Sequence, residues 1–324
     1  MSAGDGPPPD AARPGVASFW DRNPHLFEDP EFWMAHPLCR TAINERVSGS
    51  PDTWPLDHLY VRAGSPRFDR MLSLGCGTGR VERAVRRLGI ASEVEGIDAS
   101  PVSIDLARRH AQEEGLSGIR YSVADLDALS LRGRRADAVV FHQSLHHVAA
   151  VEKLLEEVRA CLAHDGLLFL EEWTGPSRTE WTEGRLAPYR SLFREVPEEW
   201  RRTRDLQAPI ERDDPTEAVR SSAIVPTLRR LFRPIEFRPY GGQIVSILLP
   251  QLRRAAIPGD ALNDLVSRWL ALESAELAAN PEASFHHAIL ATPRTGISSA
   301  FGRISNRLRR SVSRRQTASP SPLC

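Results

Sequence analysis

The chain has 324 residues, with 42 basic and 42 acidic side chains, 41% hydrophobic and 26% charged composition, and four cysteines. This is an ordinary globular composition, long enough for one elaborated domain or two small ones. The neutral balance excludes a chain built wholly to coat nucleic acid or an acidic surface.

Lys153 is the single lysine, so the basic side is otherwise arginine, which reads mainly as a GC-rich coding bias. Cys39, Cys76, Cys161 and Cys324 show no C-x-x-C spacing, and no His, Cys and carboxylate cluster has metal-ligand spacing. No metal site and no disulfide framework is expected, which fits a reducing cytoplasm. The N-terminus has neither the basic nor the apolar region of a signal peptide, and no run approaches the ~20 apolar residues of a membrane span.

In chain order, residues 1–17 are rich in Pro, Gly, Ala and Asp and are expected to be disordered. Residues 18–59 bring Phe19, Trp20, Phe27, Phe32, Trp33 and Trp54 between prolines, the pattern of a short helical lid on a larger body. From residue 60 to about 295 short β-type runs alternate with helical ones, which predicts a parallel sheet of βαβ units. Strands are expected at Met71–Leu74, Glu93–Ile97, Ile119–Val123, Ala136–Phe141 and Leu167–Glu171. Ser100-Pro101 should start a helix over Val102–Glu114 that Gly115 stops, and the stripe at 151, 154, 155, 158 and 162 predicts another.

Residues 174–240 form a polar, Trp- and Arg-rich insertion whose one strong helix candidate is Pro215–Phe232. Ile244–Leu249 and Phe285–Ala291 follow as late strands around a helix at Asp260–Ala279. The end of the chain is basic: residues 296–324 hold six arginines and no acid, leaving residues 1–295 with 36 basic against 42 acidic side chains. This tail is expected to be disordered, or an amphipathic segment that adsorbs to anionic lipid. Nucleic acid is not an expected partner.

The segment that carries chemistry is Met71–Arg80, in which an apolar strand runs into Gly75-x-Gly77-x-Gly79 and then a helix. Glycines suit a tight turn that a ligand approaches without meeting a Cβ, and the helix N-terminus offers free N–H groups. Asp98, nineteen residues past Gly79, closes the second strand where an acid can accept both hydroxyls of a ribose. Asp125 follows the third strand, within reach of an adenine amino group. The dinucleotide fingerprint needs G-x-G-x-x-G, whereas here the third glycine comes one residue early, and no nucleoside-triphosphate loop exists.

With these motifs the chain resembles the class I S-adenosylmethionine-dependent methyltransferases, over about residues 60–175 and on toward Ala291. The resemblance implies an α/β, Rossmann-like doubly wound sheet of seven mostly parallel strands, with the lid before it and the substrate insertion after the fifth strand. It implies S-adenosyl-L-methionine as cofactor, held by Gly75, Cys76, Gly77, Gly79, Asp98, Ala99, Asp125, Leu126 and His142. Ser73 stands where the family usually has an acid, two residues before the first glycine. A closer likeness, carried by Ser144–Val148, by 171–181 and by 214–232, is to bacterial methyltransferases of glycan and natural-product biosynthesis. It points to a small-molecule or sugar-containing acceptor.

Methyl transfer, here expected to a hydroxyl or an amine, is an in-line displacement, and a hydroxyl acceptor must also lose a proton. His142, His146 and His147 follow the fourth strand at its C-terminal end, where open α/β sheets bind ligands. His146 and His147 are the candidate bases, and Glu172, beside Glu171 and Trp173, is the candidate acid that orients one of them. A capping or packing role for each stays open. So do two other readings of the whole: a cofactor-binding protein without transfer, and an NAD-dependent oxidoreductase.

Overall fold

The computed structural model describes residues 16–25, 31–211 and 213–294. Phe27 and the segments 1–15 and 296–324, with the disorder and membrane contact expected of them, lie outside these residues. Val16 and Ala17, expected to be disordered, open helix α1 (Val16–Arg22).

Among the described residues seven strands form one sheet: β1 (Phe68–Leu74), β2 (Ala91–Asp98), β3 (Ile119–Val123), β4 (Ala136–His142), β5 (Leu162–Trp173), β6 (Phe232–Gly241) and β7 (His286–Pro293). Their order is β3-β2-β1-β4-β5-β7-β6. Strands β1 to β5 run parallel, while β7 is antiparallel to both neighbours. The strand order reverses between β1 and β4, so a crevice opens beyond the carboxyl ends of these two strands.

Among the described residues nine further α-helices cover the two faces: α2 (Pro37–Ser48), α3 (Pro55–Arg62), α4 (Arg80–Arg87), α5 (Pro101–Glu113), α6 (Val151–Cys161), α7 (Glu183–Arg194), α8 (Ile224–Leu231), α9 (Val245–Leu248) and α10 (Gly259–Ala279). On one face Ile43, Leu59, Val85 and Trp269 pack with Phe68 and Phe169 of the sheet. On the other, Leu154, Leu155, Val158 and Leu228 cover Leu74, Val139, Phe141 and Leu168. Sequence signals act locally: the Ser100 hydroxyl caps α5 by accepting from Ser103 N at 3.0 Å, and Gly115 follows at φ +64.

Three expectations after β5 are corrected. The sixth strand is Phe232–Gly241, which lay in the expected insertion, and its prolines 234 and 239 sit at or beside shifts in its register with β7. An edge strand tolerates such residues. Ile244–Leu249 is not a strand; Val245–Leu248 is a buried helical turn, capped by the Glu273 carboxylate, which accepts from Ile244 N and Val245 N at 2.7 and 2.9 Å. An apolar run buried on all sides has no period that separates strand from helix. The helix expected from Pro215 starts only at Ile224, because the Asp214 carboxylate holds Thr216 N at 2.8 Å in a turn and Ala218 takes φ +48.

Candidate active site

The glycine loop leaves β1 with Gly75 N and Cys76 N donating to Ile97 O, and Gly77 N donating to Asp98 Oδ2 at 2.8 Å. The three glycines have different reasons to be glycine. A Cβ on Gly75 would stand 2.3 Å from Ser144 Cβ, and one on Gly79 would stand 2.4 Å from the Tyr121 hydroxyl. Only over Gly77 is there open space within 4 Å. That opening belongs to a cavity of about 200 Å³, lined among others by Gly75, Cys76, Gly77, Asp98, Ala99, Asp125, Leu126 and His142. Gly79, expected against the cofactor, does not line it; Gly79 precedes α4 and packs under Tyr121.

These residues fit an adenosyl cofactor. A side chain at position 77 would fill the space that a ligand needs. Asp98 already accepts from Gly77 N and Ser100 N, yet each of its oxygens keeps a lone pair for a ribose hydroxyl. Burial raises its pKa against the pull of those N–H donors. Burial, aided by Arg80, lowers His142 to about 4, so its ring is neutral at physiological pH.

Helix α1 docks beside this cavity, and its Trp20 is among the lining residues. Asp21 of α1 accepts from Ser100 Oγ at 2.7 Å and from Val102 N at 3.3 Å, at the start of α5. Docked this way, α1 sets the Trp20 ring edge-on to His147, with centroids 5.0 Å apart.

The candidate bases stand on a sharp turn after β4. Gln143 takes φ +53 there, held by its N–H to Glu171 O at 2.8 Å and its side-chain amide to the Tyr240 hydroxyl at 3.1 Å. A strained residue fixed by its surroundings marks a positioned site. Ser144 Oγ then donates to Leu74 O at 2.7 Å, which locks the turn to the end of β1.

Each histidine has its own carboxylate. His146 Nδ1 donates to Glu172 Oε2 at 2.6 Å, while Glu172 Oε1 accepts from the backbone N–H groups of Ser144 and Leu145. Burial disfavours charge on His146, but Glu172 outweighs it and raises the ring's pKa. His147 Nδ1 lies 3.2 Å from both Thr216 Oγ1 and Asp214 Oδ2. Because Thr216 Oγ1 donates to Asp214 Oδ1 at 2.6 Å, it must accept from His147, which makes Nδ1 the donor nitrogen and Nε2 the acceptor of the neutral imidazole.

A second cavity of about 460 Å³ opens beside the first, walled by Trp20, Phe32, Trp33, Trp173 and His286, with Arg202, Gln207 and Gln251 as polar members. Trp20, Phe32, Gln143 and His147 line both cavities. His146 lines only the second. Glu172, expected to orient one of the histidines, is fully buried and lines neither cavity; it holds His146 and the turn from behind. Arg178 is taken up by the carbonyls of Asp214 and Pro215, and Arg220 pairs with Glu152.

Asp214, Thr216, Glu217 and Gln143 were not expected as site residues. The resemblance tied 214–232 to substrate, but no spacing connects these acids to histidines some 70 residues earlier. They also alter the metal expectation. Donor atoms of His146, His147 and Glu217 lie within 4.8 Å of one another, a group among the described residues that could hold a cation.

Residues 72–170 match the family model described as "Methyltransferase domain". The chain is similar to the ubiquinone biosynthesis O-methyltransferase of Chelativorans sp. (strain BNC1), 36% identical over 101 residues, covering 31% of this chain and 39% of that one. The corresponding protein of Cereibacter sphaeroides (strain ATCC 17025 / ATH 2.4.3) is 36% identical over 156 residues, covering 47% and 58%. The chain thus spans less than two thirds of these curated relatives. Among solved structures it is similar to the [4+2]-cyclase SpnF, with a TM-score of 0.49 and 17% identity, over 88% of this chain and 98% of that one. Family match, glycine loop and cavity together identify residues 72–170 as a class I S-adenosylmethionine-dependent methyltransferase domain, with S-adenosyl-L-methionine as its cofactor.

Proposed function

We propose that the protein transfers the methyl group of S-adenosylmethionine to a hydroxyl of a small molecule held in the second cavity, with His147 as base. The observation that carries this reading is that His147 lines both cavities, with Nδ1 engaged by Asp214 and Thr216 and Nε2 left to take a proton. The cofactor brings the electrophilic methyl carbon; the chain positions the acceptor, excludes water and removes the hydroxyl proton. His146, held by Glu172, lines the acceptor side and orients the hydroxyl. Gly75, Cys76, Gly77, Asp98, Ala99, Asp125, Leu126 and His142 hold the cofactor. The tryptophans of the second cavity suit an acceptor with a flat or apolar face, an aromatic ring or a sugar among them. The ubiquinone O-methyltransferase relatives support a hydroxyl acceptor.

The test is to incubate the protein with labelled cofactor and a panel of phenols, hydroxylated polyketides and sugar precursors. Acceptor-dependent release of S-adenosylhomocysteine supports transfer; cofactor binding with no product across the panel favours a binding protein instead.

A second reading rests on the His146, His147 and Glu217 group. A divalent cation held there would lower the pKa of the acceptor hydroxyl, and the Glu172 carboxylate on His146 Nδ1 is the partner that metal-bound imidazoles usually have. Chelation separates the two: it leaves turnover intact if His147 is the base, and removes it, with recovery on adding Mg²⁺, Mn²⁺ or Zn²⁺, if a cation acts.

A further inference from the structure

Glu82 is the third residue of α4 and lines the cofactor cavity beside Ser73 and the glycine loop. It is fully buried, and neither of its carboxylate oxygens has a hydrogen-bond partner among the described residues. Burial pushes its pKa up to about 7, against a smaller lowering by the Ser73 hydroxyl. The nearby guanidinium does not answer the need, because Arg83 is spent on Glu114 at 2.7 Å and on Thr78 O at 2.6 Å. A carboxylate taken out of water with no well-formed hydrogen bond is costly, so one that lines a ligand cavity is suited to a cation from the ligand.

We propose that Glu82 receives the α-ammonium group of the cofactor's methionine part, with the Ser73 hydroxyl beside it. This rests on reading the cavity as the cofactor site. An ammonium carries three N–H donors, enough for both Glu82 oxygens and Ser73 Oγ. The N-terminal turn of α4 favours a negative charge at this position. The carboxylate that the resemblance expects on β1, at position 73, is thus supplied from the helix.

Calorimetric titration of the full chain tests this without turnover. S-adenosylhomocysteine is compared with 5′-methylthioadenosine, which lacks the amino acid part, on the wild type and on Glu82→Gln. The substitution is expected to weaken S-adenosylhomocysteine by about 10- to 100-fold, the range of a charged hydrogen bond. Methylthioadenosine should shift less than about twofold, and adding Ser73→Asp to Glu82→Gln should return part of the loss. Equal loss for both ligands, or none for either, overturns the proposal. Should Glu82→Gln not fold, the wild type still decides: a deamino analogue of S-adenosylhomocysteine should bind about 10- to 100-fold more weakly than the parent, and equal affinity overturns it. A wild type that binds neither adenosyl ligand overturns the cofactor reading itself, and the proposal with it.

Discussion

His147 Nδ1 lies 3.2 Å from the buried carboxylate of Asp214, a residue brought to the site by the long segment after β5. Burial works against the Asp214 charge, but hydrogen bonds from His147 and Thr216 outweigh it and hold its pKa low. An ionised Asp214 fixes the tautomer that leaves Nε2 free. Asp214→Asn should therefore lower kcat while cofactor affinity stays within about twofold, a smaller loss than the ~10²- to 10⁴-fold of removing a general base. Steady-state rates at saturating acceptor, with calorimetry of the cofactor, check both halves.

The pair of His146 and Glu172 makes stability depend on pH. The folded pKa of His146 is raised above its ordinary 6.5. The stabilisation is complete below about pH 6.5 and disappears as pH rises through the raised value. Thermal melts of the wild type and His146→Gln across pH should show the largest gap in Tm on the acid side, narrowing toward alkaline pH. A gap constant with pH would mean that packing, not charge, makes up the contribution of His146.

Gly75 and Gly77 should respond differently to alanine. At Gly75, with φ +73, the new methyl meets Ser144 on the histidine turn, so Gly75→Ala should lower Tm and weaken cofactor and acceptor together. At Gly77, with φ +52 and open space above, the apo protein loses only the left-handed backbone preference, about 1–2 kcal/mol, while the methyl takes the cofactor's place. Melting without ligand and cofactor titration of both variants separate the two.

The cofactor half of the site was legible because its residues are local. A strand, three glycines and acids at the ends of β2 and β3 keep their meaning within about 50 residues. Gly79 shows the limit: its motif position suggested the ligand, while its φ +80 and the Tyr121 ring beneath it explain it. The acceptor half depends on contacts across the chain. Asp214 reaches His147, and Val219 N donates to His146 O, through a segment with no periodic signal. β6 was hidden by Pro234 and Pro239, which exclude a central strand but not an edge one. Glu82 looked like a solvated helix acid, and only its burial beside Ser73 sets it apart.

The role of His147 is tested most directly by a single-turnover measurement of methyl transfer from labelled S-adenosylmethionine, wild type against His147→Ala, with cofactor binding measured on the same samples. If His147 is the base, binding stays unchanged within about twofold and the transfer rate of the variant falls by about 10²- to 10⁴-fold. An unchanged rate in His147→Ala would contradict that role.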